Sequence, residues 1–218
     1  MNQLKKPFPR VLLVLCGVVC GIIITYILCL TTGLPFFGKI REDDAPRAKS
    51  NNAELTALAF SVLENIKNGD YEALSSVAHP KFGVIFSPCA TVTLNTNRYF
   101  QSKQIALFGA DTNAYVWGVR SGSGEPIEMT PRDYFASFVF DKDYTAASII
   151  GIDRIVKSGN ALENIKDIFP DVRFVDFHIT GGDRDSAEDL SWSSLRLGFE
   201  DFEGRLWLTV ILHSEWTE

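Results

Sequence analysis

The chain opens on an uncharged run, VLLVLCGVVCGIIITYILCL at 11–30. Twenty helical residues rise about 30 Å, the thickness of a bilayer's hydrocarbon core, so the run predicts a membrane-spanning helix. Tyr26, Phe36 and Phe37 near its far end suit an interfacial aromatic belt. Beyond it the pattern changes to that of a folded domain. Leu55, Leu58, Ala59, Val62, Leu63 and Ile66 recur at helical spacing and Gly69 supplies the stop. Asp70 then caps a shorter helix through Val77, closed by His79 and Pro80.

Strand patterns follow. FGVIF (82–86) reads as a strand, and a mixed stretch with a short helix near 102–108 comes next. Residues 115–120 and 126–129 flank SGSG and predict a hairpin. Thr130, Pro131 and Asp133 mark a helix start that buries Tyr134, Phe135 and Phe138. Residues 149–156 read as a strand, and Asn160 as the cap of a short helix ending before Pro170. VRFVDFHIT (172–180) alternates, with Val172, Phe174, Asp176 and His178 on one face and Arg173, Val175, Phe177 and Ile179 on the other. SLRLGFEDF (194–202) and RLWLTVILHSEW (205–216), joined at Glu203 and Gly204, predict a long hairpin. The whole is an α+β chain: an N-terminal transmembrane helix, then one domain whose curved antiparallel sheet wraps on helices in a cone-like form. The divisions are a short cytoplasmic N-terminus (1–10), the anchor and interfacial segment (11–37), a charged linker (38–51) and the soluble domain (52–218).

Charge sharpens this picture. Seven of the 21 Lys and Arg and three of the 27 Asp and Glu fall in the first 50 residues, which leaves the domain at a net −10. A domain of that sign is repelled by phosphate backbones, so no nucleic-acid partner is expected. Lys5, Lys6 and Arg10 crowd the near flank of the span, whereas Lys39, Arg41, Arg47 and Lys49 lie farther beyond it. That spacing favours a cytoplasmic N-terminus and an extracytoplasmic domain at the cell membrane. An apolar run this long argues against a cleaved signal peptide. Of the four cysteines only Cys89 belongs to the domain, which excludes a disulfide within it and a cysteine zinc site. Leu15, Val19 and Leu28 before the other three are too large for a lipidation motif.

HPKFGVIFSP (79–88), YVWGVRSGSGEPIEMTPRDYFASFVFDKDY (115–144), GNALENIKDIFP (159–170) and SLRLGFEDFEGRLWLTVILHSEWT (194–217) together resemble an uncharacterised family of bacterial extracytoplasmic domains, often membrane-attached as lipoproteins. Its His-x-x-Trp-Thr tail is matched by His213, Trp216 and Thr217. The resemblance implies a cone similar to the nuclear-transport-factor-like superfamily, without an established activity. This chain departs from the lipoprotein members in lacking their lipidation site.

Candidate chemistry is sparse. His213, near the end of the last strand, could carry a proton or hold a ligand, or could simply satisfy a sheet edge. His178 and Asp176 share a strand face and could neighbour it. Trp117, Trp192, Trp207 and Trp216 could line an apolar pocket or belong to the core, and Trp216 is expected to dock on the sheet. Cys89 reads as a buried thiol, and GGDRDSAED (181–189) fails the calcium-loop spacing and reads as a solvated loop. SGSGEP (121–126) fits neither a phosphate-binding nor a dinucleotide fingerprint. No catalytic residue, metal or cofactor is expected. The reading is a membrane-anchored, non-catalytic binding or sensory module that meets the lipid bilayer through 11–30 and an unknown small ligand or envelope protein through its domain. The alternatives are an envelope structural or assembly protein and a hydrolase-like enzyme using His213 or His178; candidate ligand-binding residues are His213, His178, Asp176, Trp117 and Trp216.

Overall fold

A computed structural model describes residues 51–120, 122–181 and 190–216. The expected span at 11–30, its flank at 1–10, nearly all of the linker and most of the acidic loop at 181–189 lie outside the described residues. Among the described residues no helix is long and apolar enough to cross a membrane.

Two capped helices lead. Helix α1, Asn52–Asn68, starts where the Asn51 side chain accepts from the Glu54 N–H at 2.7 Å. It ends at Gly69, whose φ of 65° is the left-handed turn that an L side chain resists. Its buried stripe is Leu55, Ala59, Val62, Leu63 and Ile66. Helix α2, Tyr71–Val77, is capped by the Asp70 carboxylate, which accepts from the Ala73 N–H at 2.9 Å.

Strand β1 covers Val84–Ser87, two residues later than FGVIF suggests. Gly83 turns the chain with φ 73° and bridges back to His79, and a Cβ there would lie 2.2 Å from the Phe100 carbonyl oxygen, so the pairing with β2 begins at Val84. Phe82 is left 54% exposed. There follow β2 (Arg98–Phe100), the one-turn α3 (Ser102–Ile105), and the hairpin β3 (Tyr115–Val119) with β4 (Pro126–Met129). Thr130 and Pro131 open α4, Pro131–Tyr134, which widens into a π-helical turn over Phe135–Val139. A 3₁₀ turn at Tyr144–Ala146 leads into β5, Ile149–Ile152. Helix α5 is Ile165–Ile168. Asn160 does not cap it: Asn164 precedes it, and the Asn164 side chain instead ties to the Val92 backbone, accepting at 2.8 Å and donating at 2.9 Å. Strands β6 (Arg173–Ile179), β7 (Ser193–Phe202) and β8 (Arg205–Glu215) complete the chain.

The main sheet runs β2-β1-β8-β7-β6-β5. It is mixed rather than wholly antiparallel, because β1 pairs in parallel with β8, Ile85 opposite Val210. β7 already holds the other side of β8, so β1 can join only on the free side. The β7–β8 turn places Glu203 at φ 56° and Gly204 at φ 79°, the two positive values of a tight primed hairpin turn. Between Gly198 and Phe199 the register shifts by one residue, a bulge that bends the long hairpin and curves the sheet.

Both faces of the centre of this sheet are covered. Val175, Phe177, Leu195, Leu197, Phe199, Leu208 and Ile211 pack on the inner face beneath α1, where Phe60 meets the Phe177 ring edge-on at 5.2 Å. An aromatic cluster fills the space between β1 and the β3–β4 hairpin: Phe86, Phe100, Phe108, Trp117, Tyr134 and Phe135, each at most 4% exposed. Trp117 stacks flat on Tyr134 with centroids 3.8 Å apart. A smaller core on the outer face joins Val92, Ile165, Val172, Phe174, Val210 and Leu212 under the segment that carries α5.

Candidate functional site

The register sorts the candidate residues onto two faces. Asp176 pairs with Arg196, which pairs with Leu212; His178 pairs with Ser194, which pairs with Ser214. These share the outer face. His213 pairs with Leu195, itself opposite Phe177, and so lies on the inner face. The possible cluster of His178, Asp176 and His213 therefore does not form: one β-sheet separates its members.

His213 is 1% exposed and sits in a polar knot inside the core. Its Nε2 is 3.1 Å from Ser193 Oγ and 3.4 Å from Asp141 Oδ1. Tyr144 joins the knot, donating to Asp141 Oδ1 at 2.8 Å and hydrogen bonding Ser193 Oγ. Phe138 meets the imidazole edge-on at 5.9 Å and stacks on Tyr134 at 5.4 Å, so an aromatic ladder links His213 to Trp117. Burial pushes the Asp141 carboxyl up, but the hydrogen bond and charge of His213, with Tyr144 and Lys142, outweigh it and hold Asp141 below its ordinary range. Burial, reinforced by Asp141, drives the Tyr144 phenol far above its ordinary range. Both neighbours meet the same His213 nitrogen, and Nδ1 is buried without a partner. A proton relay needs one partner on each nitrogen, so this knot lacks the arrangement of a nucleophile–histidine–carboxylate triad.

The outer face carries the second polar group. Arg196 is fully buried, with Nη1 2.6 Å from Glu163 Oε2 and Nη2 3.2 Å from Asp176 Oδ2. Its guanidinium lies 5.7 Å from the Phe174 ring centroid. Asp176 Oδ2 also accepts from the Val156 N–H at 2.9 Å. His178 Nδ1 meets Ser194 Oγ at 2.9 Å, and its ring lies 5.7 Å from Trp192. Desolvation lowers the His178 pKa, and Lys157 and Lys142 add to that against the opposing pull of Asp176. The imidazole therefore stays neutral at pH 7.

Trp216 is not buried in the core. It follows the end of β8 and is 38% exposed, while Trp192 is the buried tryptophan nearby, at 1%. Cys89 is half-buried, its thiol 3.4 Å from the Thr91 carbonyl oxygen. His79 organises a turn, Nδ1 accepting from the Lys81 and Phe82 N–H groups at 3.2 and 3.0 Å. Among the described residues, no group of three or more His, Cys, Asp or Glu could hold a metal ion. Sequence reasoning overlooked Asp141, Tyr144, Ser193, Arg196 and Glu163. Arg196 left a signal, a cation set between leucines in the strand SLRL.

No family model matches the chain, and no curated protein matches it either. Solved structures with some similarity include a Xanthomonas campestris protein provisionally named a calcium/calmodulin dependent protein kinase II association domain, 13% identical over 80% of this chain and 94% of that one, with a TM-score of 0.35. An NTF-2 like protein of unknown function from Shewanella oneidensis MR-1 is 10% identical over 75% and 98%, with a TM-score of 0.30. A protein from Streptomyces avermitilis, provisionally named a dehydratase of the NTF2-like family, is 14% identical over 76% and 97%, with a TM-score of 0.26. Likeness this distant carries no argument about activity. The architecture rests on the chain's own strand order and packing.

Proposed function

We propose that this chain is a non-catalytic binding or sensory module, a cone of the nuclear-transport-factor-like type held outside the cytoplasm by a membrane helix at 11–30. The observation that carries the non-catalytic part is the setting of His213. It is 1% exposed, roofed by Phe138, and bonded through Nε2 alone. An imidazole so placed ties β7, β8 and the 141–144 turn together. The aromatic cluster around Trp117 supports the same view, since it occupies interior space that a ligand would need. The polar outer face, rich in hydrogen-bonding groups, favours binding over a purely structural role in envelope assembly.

A second reading, a hydrolase-like enzyme, draws on the hydrogen-bonded knot of Tyr144, Ser193, His213 and Asp141. One experiment separates the two. The full-length chain in lipid nanodiscs is assayed on chromogenic esters beside His213→Ala. Turnover that disappears with His213→Ala would overturn the non-catalytic reading; equal background in both supports it. For topology, a reporter active only outside the cytoplasm, fused after Glu218, should give signal. A cytoplasm-only reporter active at that position would reverse the orientation.

A further inference from the structure

Four polar atoms on the outer face are buried without a hydrogen-bond partner: Asp176 Oδ1, Arg196 Nε, Trp192 Nε1 and Ser214 Oγ. Buried polar groups are nearly always paired, so four such atoms on one patch of sheet point to something that belongs among them. The register holds them together: Asp176 and Arg196 are directly opposite, and Ser214 and Trp192 flank the next row through Ser194 and His178.

Among the described residues an irregular segment helps to cover the patch. Residues 153–164 cross it without regular structure, and none of them is buried. The segment is held by the Val156 N–H on Asp176, by Glu163 on Arg196, and by the Lys157 ammonium 5.4 Å from the Trp192 ring centroid. Opening this stretch would break mainly the Glu163–Arg196 and Val156–Asp176 contacts, since none of its side chains is fully buried. At its edge lies a cleft of about 170 Å³, lined by Glu163, Phe174, Asp153 and Ile155 among others. Glu163 and Phe174 are themselves in contact with Arg196, so the cleft adjoins the patch. Drug-sized ligands occupy about 300–1,000 Å³, which restricts this space to a smaller molecule.

The vacant hydrogen-bonding positions state what chemistry would satisfy them. Arg196 Nε and Trp192 Nε1 donate, Asp176 Oδ1 accepts, and Ser214 Oγ can do either. Arg196 and Lys157 balance Asp176 and Glu163, so the patch has no net charge to attract an ion. We propose that this patch, reached from the cleft beneath 153–164, binds a small neutral molecule with neighbouring hydroxyl groups, the chemistry of a single sugar ring. Each hydroxyl both donates and accepts, and so matches the mixed set of vacant atoms. The proposal rests on the binding-module reading and names its ligand class.

The test uses the full-length chain in nanodiscs with ¹⁵N-labelled tryptophan, the Trp192 indole N–H signal being assigned with Trp192→Phe. Glucose and N-acetylglucosamine are the neutral probes and sodium acetate is the anionic one. The expected result is a saturable shift of the Trp192 signal with a sugar and none with acetate. Ser214→Ala should weaken that response about tenfold without lowering the melting temperature, because it removes one unpaired hydroxyl. Glu163→Gln, at the mouth of the cleft, should weaken it as well and serves if Ser214→Ala folds poorly. A shift with acetate alone, no shift with any probe, or a sugar response unchanged in both variants would overturn the proposal. Any of these leaves the non-catalytic reading intact, because the ester assay and the reporter do not touch this patch.

Discussion

Arg196→Met probes the buried charges of the outer face. Methionine keeps most of the length of the stem but removes the guanidinium, together with its place 5.7 Å from the Phe174 ring centroid. Of the two carboxylates it leaves, Glu163 is 13% exposed and can turn towards water, whereas Asp176 is fully buried and keeps only the Val156 N–H. Removing one partner of a buried ion pair costs about 3–5 kcal/mol, because the other charge stays behind unpaired. For a domain of this size each 1 kcal/mol moves the melting temperature by about 2–4 °C, so a fall of about 6–20 °C is expected. Arg196→Met with Asp176→Leu should recover most of it. The stranded charge is then gone, and only the Val156 N–H lacks an acceptor, at about 1–3 kcal/mol. Near-ultraviolet circular dichroism of the full-length chain during thermal unfolding measures both. A single variant within about 1 kcal/mol of the parent, or a double variant no better than the single, would show that Asp176 is not stranded as a buried charge.

Stability should also depend on pH through His178, whose folded pKa is held below its unfolded value by burial first and nearby lysines second. The unfolded chain takes up the proton near pH 6.5 and the folded one only lower, so stability falls as pH drops through about 6.5 towards the folded value. His178→Asn should flatten the melting-temperature change between about pH 7.5 and about pH 5.5, and His79, also lowered by burial, should leave a residue of it. Trp117→Ala, emptying a fully buried site stacked on Tyr134, should cost about 3–5 kcal/mol, against under about 1 kcal/mol for the 38%-exposed Trp216→Ala; equal losses in thermal melts would restore the tail as a structural lock. Gly198→Ala would bring a Cβ to 2.4 Å from Val210 Cγ1, and should cost about 1–3 kcal/mol, partly relieved when Val210→Ala is added.

What the sequence made legible was what short-range chemistry decides. Asp70 and Thr130 accept from backbone N–H groups three residues on, Gly69 and Gly204 take positive φ, and the alternation of 172–180 puts its residues on the expected faces. Asn160 fails as a cap because a distant strand connection, through Val92, fixes where α5 begins. The faces of β8 show the same limit more sharply. Counting back from the turn, Phe202 opposes Arg205 and Phe199 opposes Leu208. Carried on without interruption, that register would set His213 opposite Ser194, beside His178 on the outer face, and the three-residue cluster would exist. The bulge adds one residue to β8, so Gly198 opposes Val210 and His213 opposes Leu195. A shift of one residue moves every later side chain to the other face. It sends Ile211 and His213 inward and Leu212 and Ser214 outward, which builds the buried knot on one side and the polar patch on the other. A glycine inside a strand is the ordinary mark of such a bulge. Gly198 was therefore the one residue from which the separation of the two sites could have been read.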